Sequence, residues 1–286
     1  MNRLKKKTKQ LQENNLFFIV FGKPHLYFKK LMISTISIGI ITLILNYIYI
    51  NTGLHSFRIP STMHSLIGIV IGLLLVFRTN TAYDRWWEGR KRISEISASI
   101  YFIMVKINSC LQKESNEYKK GLDVIRINLI SFMNNMKNYL KEEIETKEIF
   151  VSETFIDQQN VHIEKVMQAI KKLEMEKTID GRDATIIEIS IKSLIEGSVA
   201  CERIKNTPIP IAYALHIKIS ILIYLITLPF GLFYDLGIWS SLMVMLVYYL
   251  IAGIEIISSE IENPFAGEPN DLPVVELIDN IIKSIK

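Results

Sequence analysis

Four apolar runs constrain the fold of this 286-residue chain more than any other feature. The first, Leu31 to Ile50, has twenty residues and no charge. At about 1.5 Å of rise per residue, such a helix spans about 30 Å, the thickness of a bilayer core. The second is Ser61 to Phe77, the third runs from Ile209 to Tyr234 with Lys218 inside it, and the fourth is Leu236 to Ile254. We therefore predict four transmembrane helices.

The distribution of lysine and arginine predicts their orientation. Eight basic residues precede the first run, only Arg58 lies in the loop to the second, and five basic residues lie in the polar block that follows it. Because cytosolic loops are enriched in Lys and Arg, both chain ends and the segment between the second and third runs are predicted to be cytosolic. We expect an integral membrane protein.

The whole chain is predicted to be helical. In the cytosolic segment, Ile187, Ile191, Leu194 and Ser198 fall on one face of an amphipathic helix, and Gly181 marks a turn before it. The predicted regions are a basic cytosolic N-terminus (1–30), transmembrane helices 1 and 2 (31–78), a cytosolic helical region (79–208), transmembrane helices 3 and 4 (209–258) and a cytosolic C-terminal tail (259–286).

Known catalytic and nucleic-acid-binding patterns are absent from the sequence. It contains no phosphate-binding loop, no nucleophile elbow and no zinc-protease motif. Cys110 and Cys201 are too few for a disulfide framework and are expected to be small buried residues. No stripe of aromatic and basic residues suits single-stranded nucleic acid. We expect neither an enzyme nor a cofactor, and no nucleic-acid partner.

The second apolar run carries a regular stripe. Ile69, Leu73 and Phe77 recur every four residues, while Gly68 and Gly72 form a G-x-x-x-G pattern beside them. One interpretation is ordinary packing, with small residues between helices and large ones facing lipid or the core. The other requires several copies around an axis, so that the stripe lines a narrow apolar throat that gates by dewetting.

A dense polar block, "FRTNTAYDRWWEGRKR" from Phe77 to Arg92, follows the second run directly. Trp86 and Trp87 suit a membrane interface, and the neighbouring charges suit ion pairs within one helix or between copies. Lys218 and Glu255 are ionisable residues of the predicted membrane spans and are therefore candidate functional groups. Both lie near the cytosolic ends of their spans, where we expect them to extend towards the interface.

Three segments together resemble the bestrophin ion-channel family, in its bacterial form. They are the polar block, "ACERIKNTPIPIAY" at Ala200 to Tyr213, and "SEIENPFAGEPNDLP" at Ser259 to Pro273. Their order and spacing match the family across essentially the whole chain. The resemblance implies a homopentameric channel for small monovalent ions, with four membrane helices per subunit and a pore along the five-fold axis.

The resemblance also implies roles for particular residues. The family's pore neck corresponds to Ile69, Leu73 and Phe77, and its cytosolic aperture corresponds to Thr185 and Ile186. Thr185 departs from the apolar residue that is usual there. Animal members carry an aromatic residue at the position of Leu73, and the electropositive edge of an aromatic ring can favour an anion. Leu73 is aliphatic and lacks such an edge, so we expect this channel to favour cations.

The calcium clasp of animal members corresponds to a C-terminal turn here, although its run of aspartates is missing. We therefore expect no metal, and keep a calcium site in this turn as the secondary alternative. The clasp-like residues are Glu260, Asn263, Glu268 and Asp271.

The expected partners are further copies of the chain, permeant ions and membrane lipid. A membrane-anchored scaffold or signalling protein is the alternative function, and a membrane enzyme with a scattered polar site is a third.

Overall fold

Every regular element in the described part of the chain is helical, which confirms the all-α prediction. The structure is a computed structural model that describes residues 26–52, 60–109, 116–141, 151–268 and 270–285. The helices within these residues are α1 (Leu26–Asn51), α2 (Ser61–Ser109), α3 (Asn116–Lys141), α4 (Val151–Met175), α5 (Gly181–Asn206), α6 (Ile211–Leu236), a 3₁₀ turn (Gly237–Trp239), α7 (Ser240–Ile261) and α8 (Val274–Ile285).

These helices form two compact units. The first contains the described residues up to Arg78 and Ala212–Ile256, and the second contains Thr79–Ile211 and the described residues from Ile257 onward. The second apolar run does not end its own helix, because α2 continues without a break for 49 residues. The assignment of the predicted regions to membrane and cytosol stays a prediction.

The helices of the first unit are apolar on most of their surface. Three helical stretches among the described residues are long and apolar enough to cross a membrane: Lys29–Asn51, Ser61–Ser109 and Ile211–Ile261, with mean hydropathies of 2.0, 1.7 and 2.0. The third stretch contains both α6 and α7, which are separated by the 3₁₀ turn. Such helices, apolar all round, require an apolar environment.

A few polar contacts fix how α1 meets the α6–α7 turn. The side-chain amide of Asn46, which is 4% exposed, donates to the Gly237 carbonyl and lies 3.2 Å from the Ser240 hydroxyl. Ser241 donates to the Gly39 carbonyl at 2.8 Å. Gly237 has a φ of +53°, a conformation that suits glycine. These hydrogen bonds supply the directional specificity that purely apolar contacts lack.

The second unit has a conventional hydrophobic core. From α2, five isoleucines spaced three or four residues apart are at most 1% exposed: Ile93, Ile96, Ile100, Ile103 and Ile107. The predicted face of α5 is confirmed, because Ile187, Ile191, Leu194 and Ser198 are all buried. The predicted turn lies just before Gly181, the first residue of α5. Within this turn, Lys177 has a positive φ of 56°. Helix α8 adds Ile278, Ile281 and Ile282 to this core.

We predict that Ile125→Ala lowers the free energy of unfolding by about 2–5 kcal/mol, because it leaves a cavity in this core. Ile125 is fully buried on α3, whereas Ile127 on the same helix is 62% exposed. Ile127→Ala is therefore the matched control and is expected to change stability far less. Thermal unfolding in detergent measures both, and equal losses would contradict the assigned core face.

Candidate functional site

The predicted neck residues form an exposed apolar stripe on α2. Ile69, Leu73 and Phe77 are 69%, 54% and 55% exposed, whereas Ile71 and Leu75 are 3% and 2% exposed in the core of the first unit. The helix thus has one face packed within its own chain and another whose large apolar side chains remain accessible. An exposed apolar surface of this kind needs lipid or another chain to cover it. That it lines a throat stays a prediction.

The two glycines beside the stripe have different environments. A Cβ added at Gly68 would lie 2.9 Å from the Tyr224 hydroxyl of α6, so Gly68 allows close approach inside one chain. A Cβ added at Gly72 would have no neighbour within 4 Å among the residues considered. Ordinary packing therefore explains Gly68, whereas Gly72 lies on a face that is open within the described chain.

Glu255 is paired within the first unit, and its expected extension towards the interface stays a prediction. Its side chain is only 16% exposed, and its Oε1 lies 3.4 Å from Arg78 Nη1 and 3.7 Å from Lys218 Nζ. Arg78 is 1% exposed, whereas Lys218 is 52% exposed. The attraction of Arg78 and Lys218 offsets the cost of desolvating the Glu255 carboxylate. The sequence alone did not reveal this pairing.

Arg85 joins the three segments that carry the family resemblance. Its guanidinium donates from Nε to the Glu262 carbonyl at 2.9 Å, from Nη2 to the Ile204 carbonyl at 2.7 Å and from Nη1 to the Thr207 carbonyl at 2.5 Å. These carbonyls lie at the C-terminal ends of α5 and α7, where helices leave acceptors unsatisfied. Only arginine offers several fixed donors for such an arrangement.

The neighbours of Arg85 seat the C-terminal turn on α2. Trp86 Nε1 donates to the Asn270 carbonyl at 3.2 Å. A Cβ added at Gly89 would lie 3.1 Å from Phe265 and 3.3 Å from Leu272, so this glycine permits the close approach of the turn. Trp86 therefore has a partner inside the second unit.

The charges that follow form ion pairs within α2. Arg92 pairs with Glu88 at 2.5 Å and with Glu95 at 2.8 Å, as intrahelical pairing requires. Arg90 donates to the Ser94 hydroxyl at 2.6 Å. The charged block is visible in the sequence, but the different role of Arg85 is not, because spacing within a helix carries no information on carbonyls that are distant in sequence.

The clasp-like residues lie in one compact turn. Glu260 accepts a hydrogen bond from the Asn270 amide at 2.6 Å, and Asp271 Oδ2 accepts from the Glu268 backbone N–H at 2.8 Å. Burial raises the pKa of Asp271 to about 6, against the lowering effect of backbone hydrogen bonds from Glu268 and Gly267. One oxygen of Glu260 and one of Asp271 thus help to close the turn.

The expectation that this turn holds no metal, with calcium as the alternative, stays a prediction. Calcium takes about six to eight oxygen ligands. Two buried oxygens in the turn, Asn263 Oδ1 and Asp271 Oδ1, have no hydrogen-bond partner, but Glu268 is an exposed residue. Across the described residues, no group of three or more His, Cys, Asp or Glu is placed to hold a metal ion. We derive no role for calcium.

The predicted aperture residues lie near the start of α5. Thr185 is exposed and donates to the Gly181 carbonyl at 2.9 Å, and Ile186 is half-buried. Asp183 pairs with Lys106 at 2.7 Å and so ties this end of α5 to α2. At the other end of α5, Cys201 is buried as expected, and burial raises the pKa of its thiol to about 12. Cys110 lies outside the described residues.

We predict that Asp271→Asn changes how the stability of the turn depends on pH. Because the folded-state pKa of Asp271, about 6, lies above the ordinary value of 3.8, its contribution to folding is greatest below pH 4 and is lost as the pH rises through 6. Asparagine keeps an acceptor for Glu268 but does not ionise. The difference in melting temperature between variant and wild type should therefore favour the variant more at pH 7.5 than at pH 4.5. A constant difference would contradict the assignment.

Comparison with known proteins identifies the family. The sequence pattern of the bacterial and fungal bestrophin proteins matches residues 5–286. A voltage-dependent anion channel-forming protein of Nostoc sp. is 33% identical over 247 residues, which is 82% of this chain and 80% of that protein. One of Synechocystis sp. is 30% identical over 233 residues, or 78% and 76% of the two chains. Both matches extend over most of each chain.

A solved structure shows the same fold. A bestrophin homolog from Klebsiella pneumoniae superimposes with a TM-score of 0.76 at 20% identity, over 90% of this chain and 97% of that chain. Together with the sequence match over nearly the full length, the three joined segments show that this chain belongs to the bacterial and fungal bestrophin family.

Proposed function

We propose that this chain forms an ion channel, in which five copies surround an axial pore whose neck is the stripe Ile69, Leu73 and Phe77. The observation that carries the proposal is the exposure of this stripe on a helix whose opposite face is buried in its own chain. Family membership supports the choice of a channel over lipid-facing packing, since the relatives are named for forming channels.

The proposed membrane arrangement has four crossings. They are α1, the part of α2 up to Phe77, α6 and α7, with both chain ends in the cytosol and the protein in the bacterial inner membrane. The apolar lengths of these helices and the distribution of basic residues support this arrangement. The short turn Gly237–Trp239 then lies on the outer side, where exposed Ile238 and Trp239 suit the lipid interface.

The proposed neck controls conduction by wetting. A narrow ring of large apolar side chains excludes water. Because an ion needs its hydration shell, it passes only when the ring widens enough to admit water. Three rings at four-residue spacing extend the constriction over about 12 Å of helix. The start of α5 supplies the second constriction, where the hydroxyl of Thr185 makes the ring more polar than an aliphatic residue would.

Anions are the first candidate for the permeant ion, because the curated relatives are named as anion channel-forming proteins. Small monovalent cations are the second candidate, since Leu73 offers no electropositive aromatic edge to an anion. The family assignment points away from an enzyme. A membrane-anchored scaffold would need no axial assembly, and this difference makes the mass of the oligomer informative.

The experiment that tests the proposal is a planar-bilayer recording of purified protein under a salt gradient, with the mass of the oligomer measured in parallel. We expect a pentamer that conducts, and the sign of its reversal potential assigns the ion class. A non-conducting monomer would contradict the channel and favour the scaffold. Phe77→Ala, with assembly intact, should alter conduction, whereas an anchor would tolerate it.

We predict that Leu73→Phe raises the permeability of anions relative to cations. The aromatic edge would present positive partial charge to an ion at the middle ring. Reversal potentials measured under the same salt gradient compare the variant with the wild type. Ile67→Phe is the matched control, because Ile67 lies on the same helix, about 120° around it from Leu73, and is 44% exposed. An unchanged reversal potential in Leu73→Phe would remove this position from ion selection.

A further inference from the structure

Three charged side chains from three helices meet at Glu255 in the first unit. Arg78 Nη1 of α2 and Lys218 Nζ of α6 approach the same oxygen of Glu255 on α7, at 3.4 Å and 3.7 Å. These are ion-pair distances, longer than charge-assisted hydrogen bonds. We call Arg78, Lys218 and Glu255 the charge cluster. Its two cations share one anion, so its formal charge is +1.

The charge cluster adjoins the end of the proposed neck. Arg78 directly follows Phe77, the last residue of the stripe, and is the first charge after seventeen uncharged residues. The two neighbouring side chains differ in exposure, since Phe77 is 55% exposed and Arg78 is 1% exposed. The positive end of the Arg78–Glu255 pair thus belongs to the helix that carries the stripe, and the negative end belongs to α7.

Helix packing alone does not explain these charges. Desolvating an arginine and a carboxylate costs several kcal/mol, and apolar residues of similar volume often hold helices together at least as well. Ionisable groups among apolar helices are accordingly associated with ion pathways. A buried charge also acts over a longer distance than an exposed one, because the surrounding dielectric is low.

We propose that the charge cluster sets the electrostatic potential at the Phe77 end of the neck and favours anions over cations there. The inference rests on the proposed function, since the channel repeats the charge cluster in every subunit around the axis. Arg78 supplies the positive charge closest along the chain to the stripe, and Glu255 limits it. Lys218 adds a weaker contribution because it lies on α6 and not on the helix that carries the stripe.

Two substitutions of opposite sign test the inference. Glu255→Gln keeps the shape of the side chain and raises the formal charge of the cluster to +2, so the ratio of anion to cation permeability should rise at least about twofold. Lys218→Met lowers the formal charge to zero and should reduce the ratio, by less than the first change, because Lys218 lies on α6 and not on the helix that carries the stripe. Reversal potentials under a salt gradient measure both ratios.

The controls separate selectivity from assembly. Lys172→Met makes the same chemical change at a lysine of α4 that is 70% exposed and pairs with Glu176, and it should leave the reversal potential unchanged. The oligomer mass confirms that each variant assembles. If Glu255→Gln does not assemble, Lys218→Met carries the test, since about half of the Lys218 side chain is not packed within its own chain.

Unchanged reversal potentials in assembled, conducting variants would overturn the inference and leave the channel itself intact. Shifts of the reversal potential in the same direction in both variants would also overturn the inference. The two substitutions change the charge of the cluster in opposite directions, so equal signs would indicate an effect of packing. If the assembled wild-type protein carries no current, the proposed function fails, and the inference fails with it.

Discussion

The contacts of Arg85 with three backbone carbonyls are the interaction on which the second unit depends. One guanidinium connects α2 to the last turn of α5 and to the end of α7, and it does so where unsatisfied carbonyls would otherwise be left. The three segments that carry the family resemblance lie more than a hundred residues apart from first to last, yet they meet at this side chain. Their common location explains why a polar block must follow a long apolar helix.

The two units obtain their stability in different ways. The second unit buries a broad core of isoleucine, leucine and methionine from α2, α3, α4, α5 and α8, as soluble helical proteins do. The first unit has a smaller buried cluster, and many of its large side chains remain exposed on α1, α6 and α7. Its specificity comes from a few polar contacts, such as those of Asn46 and Ser241, because apolar helices in an apolar environment gain little from burial alone.

The neck stripe and the charge cluster show how one helix can present two kinds of surface to its surroundings. Ile71 and Leu75 fix α2 against its own chain, so Ile69, Leu73 and Phe77 are held on the other side. The next residue, Arg78, is buried and pairs with Glu255. In the proposed channel, an apolar neck beside a buried charge would allow wetting and ion preference to be set by different residues.

The sequence by itself determined the helical class, the four apolar runs, the family and the buried face of α5, because these follow from local periodicity, run length and residue order. It also located the exposed stripe on α2, although its role as a neck remains a prediction. Only the tertiary structure decided that Glu255 is paired and largely buried, and that Arg85 bonds to carbonyls and not to neighbouring acids. Those features depend on groups that are distant in sequence. The free energy of burying a charged side chain depends on which partners the fold brings within a few ångströms of it, and residue spacing does not specify those partners.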